Sequence, residues 1–149
     1  MMKNKILLVL MLAALLTSIP LLIVSARTVV VRVRADVEWV ASGIYVEEGV
    51  TYPISTHGIA WTGSPSFYPN SISGPEGQSW PCSGNYPVLP CNLDGAPYGA
   101  LIGQVDGEPF LIGGLSSFTA PATGWLMLGV NDDLIYHDDN QAGFTVQFK

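Results

Sequence analysis

The sequence predicts an all-β chain folded as a single-domain β-sandwich of the jelly-roll type. Short stretches alternate apolar and polar residues, Gly and Pro turns separate them, and no segment after residue 26 holds a 3.6-residue apolar period long enough for a helix. A length of 149 residues accommodates one ordinary core and is too short for two.

The chain begins "MMKNKILLVLMLAALLTSIPLLIVSA", with Lys3 and Lys5 ahead of an apolar run and Val24 and Ala26 placed as the small residues of a cleavage site. Residues 1–26 read as a signal peptide and 27–149 as the exported domain. The competing reading is an uncleaved N-terminal anchor, since Ile6 to Val24 approaches bilayer-spanning length, although Thr17, Ser18 and Pro20 interrupt it. A membrane association is expected only if that segment is retained. Its removal leaves four cations, Arg27, Arg32, Arg34 and Lys149, against twelve carboxylates, a formal charge of −8. Such an acidic balance argues against nucleic acid as a partner.

The alternating stretch "RTVVVRVRADVEWV" reads as a strand with one face on a core, and "GIYVEEGVTYPIST" continues the pattern around the turn "EEG". Between Ser64 and Pro97 the alternation stops, and Pro, Gly, Ser and Asn dominate a long loop region. Within it lie the two cysteines, Cys82 and Cys91, read as an intrachain disulfide of an extracellular chain. Closing so short a loop contributes about 2–3 kcal/mol. A two-cysteine metal site would lack companions at zinc spacing.

Regular structure returns with "YGALIGQVDGEPFLIGG", a hairpin around "DGEP", followed by the strand segments "SSFTAPATGWLMLGVND" and "GFTVQFK". Between those last two lies "NDDLIYHDDN", which packs Asp132, Asp133, Asp138 and Asp139 into eight positions. Carboxylates so close repel one another, and a bound hard cation reverses that sign. Calcium takes six to eight oxygens in irregular geometry, and an Asp- and Asn-rich loop supplies them. A solvated acidic turn is the competing reading. The spacing is not that of an EF-hand.

In "GVTYPISTHGIAW", "GPEGQ", "YGALIGQV", "FLIGG", "GVND" and "DN.AGFTV", in this order over residues 35–149, the chain resembles the PA-IL-like family of calcium-dependent, galactose-binding bacterial lectins. The most specific element is Asn131-Asp132, six residues, Asp139-Asn140, then Gly143-Phe144-Thr145-Val146. The resemblance implies a galactose-binding-like sandwich. It also implies a calcium ion held by Asp132, Asp139, Asn140, the Tyr136 carbonyl and, more loosely transferred, a carbonyl near Thr62. Asp139 departs from the family's usual Asn, and the added charge favours a cation.

Two neighbouring sugar hydroxyls would complete the calcium shell and hydrogen-bond the same carboxylates. The implied sugar site comprises Asp132, Asp133, Tyr136 and Asp139. The family's second contact, a His and a Gln, is replaced here by "GPEGQSWPCSG", where Gln78 is a candidate polar contact and Trp80 a candidate stacking surface. Trp80 equally fits a packing role beside the disulfide, and His57 and His137 read as structural or solvated. The missing His leaves the preference for galactose-like glycans open.

No pair of carboxylates is separable as a glycosidase acid and base, and no G-x-S-x-G elbow is present, so the sequence does not read as an enzyme. The remaining rival is a surface domain in which calcium stiffens the loop for a protein partner. A homo-oligomer suits a lectin, because grouped weak sites gain avidity.

Overall fold

The computed structural model describes residues 28–64, 66, 70–82 and 90–149. The segment read as a signal peptide or anchor lies outside the described residues, as does most of the loop closed by the disulfide. No described helix is long and apolar enough to cross a membrane.

Nine strands follow in order: β1 (Val29–Arg34), β2 (Val40–Val46), β3 (Thr51–Trp61), β4 (Ile72–Ser73), β5 (Leu101–Val105), β6 (Glu108–Leu111), β7 (Ser117–Thr119), β8 (Gly124–Val130) and β9 (Gln141–Phe148). A 3-10 turn, His137–Asp139, precedes β9. All pairings among the described strands are antiparallel. One sheet runs β1-β9-β3-β4 with β7 also on β3, and the other runs β2-β8-β5-β6. This is the expected two-sheet sandwich.

Alternation within each strand decides which side chains meet between the sheets. Val31, Val33, Ile54, Phe144, Val146 and Phe148 come from the first sheet; Val46, Leu101, Val105, Leu126, Leu128 and Val130 face them from the second. Phe118 of β7 closes one end, stacked on Tyr52 at 5.5 Å and edge-on to Phe148 at 6.5 Å.

The outward faces differ. On the first sheet Arg32 and His57 both lie opposite Thr145 and Ser55 lies opposite Gln147, with the exposed Val30 and Ile59 beside them. On the second, Tyr45 lies opposite Trp125, Gln104 is paired with both Met127 and Pro109, and Leu111 lies opposite Ile102.

The stretch expected as one strand from Arg27 to Val40 is two. β1 ends at Arg34, whose guanidinium ion-pairs with Asp36, and the chain turns there to enter the other sheet as β2. The hairpin around "DGEP" forms with Asp106 and Gly107 at φ of 53° and 83°, the left-handed pair that matches strand twist. Two glycines permit a close approach in the first sheet. A Cβ on Gly143 would lie 1.9 Å from the Val33 carbonyl oxygen, and one on Gly58 would lie 2.6 Å from the Gly143 carbonyl oxygen.

Candidate functional site

The C-terminal ends of β3 and β8 open into a cleft of about 520 Å³, within the range of small-molecule sites. The described residues that line it are Thr62, Gly63, Ser71, Tyr98, Asp132, Asp133, Tyr136 and Asp139. Three carboxylates and no cationic side chain are among them.

Asn131 sets the position of the acidic loop. It is fully buried, accepts from Leu93 N–H at 2.9 Å, and donates to the carbonyls of Leu93, Ala96 and Pro97 at 3.0–3.3 Å. Its own carbonyl accepts from Gly99 N–H at 2.7 Å, next to Tyr98. The arm from Cys91 to Gly99 is thereby fastened to the end of β8. The Cys82–Cys91 disulfide anchors that arm, and Cys91 forms an isolated β-bridge with Asp133. The Asp133 carboxylate lies within 4.8 Å of both sulfurs, which are committed to the disulfide.

Asp132 is 1% exposed yet lines the cleft. Its carboxylate accepts from Asp133 N–H at 2.7 Å and from the Asn140 side-chain amide at 2.5 Å, and the Tyr98 phenol hydrogen-bonds it as well. A buried carboxylate held by three donors keeps a fixed direction.

Burial, then the charge of Asp132 and the hydrogen bond to it, then Asp133, push the Tyr98 phenol well above its ordinary value. Tyr98 therefore stays a protonated donor. Asp133 is pushed up by burial and then by Asp132, with His137 opposing. Asp139 is pushed up by burial and then by Asp132 and Asp138, with Ser64 N–H opposing. Each acid thus feels its neighbours as repulsion, which a multivalent cation would relieve.

The expected site residues divide into three groups. Thr62, Asp132, Asp133, Tyr136 and Asp139 are brought to one cleft from segments some 70 residues apart. Asn140 is buried behind Asp132: its amide nitrogen donates to Asp132 and to Ala35 O at 3.1 Å, while its oxygen accepts from Gly63 N–H at 2.6 Å. In this geometry it orients Asp132, and a ligand role requires its oxygen to turn from Gly63.

Gln78 and Trp80 are not among the described lining residues. The Gln78 amide is spent on Ile72 O at 2.6 Å, and the Trp80 ring is 52% exposed. His57 is exposed on the sheet surface, whereas His137 is buried with its Nε2 unpartnered. The sequence reading missed Tyr98, Gly63 and Ser71, whose Gly- and Ser-rich surroundings carry no periodic signal.

The residues present suit a hard divalent cation. Asp132, Asp133 and Asp139 supply carboxylate oxygens, and Thr62 and Tyr136, which line the same cleft, have backbone carbonyls to add; no nitrogen or sulfur ligand is among the described lining residues.

The two antiparallel sheets form a β-sandwich with an acidic cleft at the strand ends. Among solved structures the chain is similar to one described as "EclA N-terminal domain; PllA-like lectin", with a TM-score of 0.59 and 23% identity, covering 80% of this chain and 92% of that one. At that identity the likeness establishes the shared fold. No protein-family model matches the chain, and no curated protein does.

Proposed function

We propose that this protein is an extracellular lectin that binds carbohydrate through a calcium ion, with galactose-like sugars as the leading ligands. The convergence of Asp132, Asp133 and Asp139 on one cleft, with Asp132 aimed by Tyr98 and Asn140, carries the reading. Asp132 and Asp139, with the backbone oxygens of Thr62 and Tyr136, would hold the ion. Bound calcium would neutralise these acids and offer open coordination positions to two neighbouring sugar hydroxyls.

The chain's own residues supply the remainder of the recognition. Asp132, Asp133 and Asp139 accept hydroxyl protons, and the half-exposed Tyr136 ring offers an apolar flank to the sugar. The lectin-like structural neighbour supports the carbohydrate class; the motif resemblance supports calcium and galactose.

Titration calorimetry with galactose and with glucose, each in calcium and after chelation, tests this. Sugar heat that appears only with calcium and disappears in Asp132→Ala is expected. Calcium binding without a signal from either sugar would transfer the site to the stiffened protein-interaction domain, and sugar binding at unchanged affinity in Asp132→Ala would overturn the site assignment.

A further inference from the structure

We infer that the cleft selects a cationic amino sugar over its neutral counterpart, with Asp133 as the residue that reads the positive charge. This selection rests on the calcium-dependent sugar site proposed above and names the class of sugar that site prefers.

The charge in the cleft does not balance. Its described lining carries three carboxylates, Asp132, Asp133 and Asp139, and no Lys, Arg or His. Asp132 and Asp139, the two acids assigned to the ion, offset its two positive charges. Asp133 is left over as a negative charge on the cleft wall. The described Arg and Lys residues are committed or stand elsewhere: Arg34 is ion-paired with Asp36, Arg32 is exposed on β1, and Lys149 follows the end of β9. The charges that act on Asp133 are Asp132, which repels it, and His137, which opposes from a buried position outside the described lining.

The hydrogen bonds are as uneven as the charges. Asp132 is held by Asp133 N–H, the Asn140 amide and the Tyr98 phenol, whereas no described group donates to the Asp133 carboxylate. That carboxylate lies within 4.8 Å of both sulfurs of the disulfide, which have no proton to give. Nor does the backbone of Asp133 leave it free to withdraw. Its N–H bonds the Asp132 carboxylate at 2.7 Å, its carbonyl accepts from Tyr136 N–H at 3.3 Å, and it is bridged to Cys91. Asp138, by contrast, is exposed in the 3-10 turn and is absent from the described lining.

A protonated amine is the sugar substituent that answers both needs, since it donates hydrogen bonds and carries the missing charge. A hydroxyl or an acetamido group can donate but leaves the charge uncompensated. Unit charges about 6 Å apart in water-like surroundings attract enough to raise affinity roughly threefold to tenfold, and less as salt screens them.

Calorimetric titration in calcium at mildly acid pH compares galactose, galactosamine with its amine protonated, and N-acetylgalactosamine, whose nitrogen is uncharged. Galactosamine is expected to bind roughly threefold to tenfold more tightly than galactose. The N-acetyl sugar should show no such gain, and added sodium chloride should shrink it. Asp133→Asn should bring the ratio of the two affinities to about one, a ratio that a general loss at the site would not move, and Asp138→Asn should preserve the wild-type ratio. Equal affinities in the wild type, or a ratio unchanged in Asp133→Asn, overturn the selection and leave the lectin reading standing. Two calcium ions bound per chain would give Asp133 to the second ion and overturn it as well. No calcium-dependent heat from any of the three sugars takes down both readings.

Discussion

Asn131→Ala removes the fastening between the acidic loop and the disulfide-anchored arm, and the structure sets the size of the loss. Of the groups Asn131 serves, the Ala96 and Pro97 carbonyls keep backbone donors, Cys82 N–H at 2.7 Å and Ala100 N–H at 3.2 Å. Leu93 fares worse: its N–H loses the 2.9 Å acceptor, and its carbonyl retains a long 3.4 Å contact from Ala96 N–H. Two lost hydrogen bonds at about 1 kcal/mol each, with a small penalty for a buried group left unpaired, give about 3 kcal/mol. With an m-value of about 1.5–2 kcal/mol/M, urea unfolding should show the midpoint falling by about 1.5–2 M at constant slope. Calcium affinity should fall in parallel, since Asp132 follows directly in the chain. A loss below about 1 kcal/mol would refute the view that Asn131 carries the loop, because one intact buried hydrogen bond accounts for that much.

Two further predictions concern backbone and charge. Gly143→Ala would place a Cβ 1.9 Å from the Val33 carbonyl at φ of 142°. It should lower stability in thermal unfolding by about 3 kcal/mol or more, whereas Gly107→Ala, in open space at φ of 83°, should lose about 1–2 kcal/mol. Asp133 and Asp139 have folded pKa values above their ordinary ones, so the folded state binds more protons than the unfolded state between the two. Stability in chelator should therefore rise as pH is lowered from about 7 toward about 4. Asp36 acts oppositely, but its ion pair with Arg34 is exposed and screened. In excess calcium the trend should reverse, as protons compete with the ion; urea titrations at several pH values read both.

The strands were legible wherever one face is buried. β9 alternates because Phe144, Val146 and Phe148 must enter the core, and the Asp106-Gly107 turn is written in its residue types. The break between β1 and β2 was not, because the alternation runs on through Asp36 and Glu38 while the backbone changes sheet. β4 is two residues long, too short for any period. In the site, the clustered aspartates announced themselves through charge density. Tyr98 did not, since its role arises from a contact with Asp132 across 34 positions. Gln78 and Trp80 looked available in the sequence, but the Gln78 amide is taken by a backbone carbonyl.

The place of β9 bears on how the chain is made. This last strand lies between β1 and β3, pairing with β1 from Val29↔Phe148 to Arg34↔Gly143 and with β3 from Ile54↔Phe148 to Trp61↔Gln141. The first strand therefore waits for the last: until Gln141–Phe148 is available, β1 has no strand to pair with. Pairings of such sequence separation fold slowly, and a chain ending before Gln141 would leave β1 and the long edge of β3 exposed. Synthesis to the end is a condition for closing the first sheet.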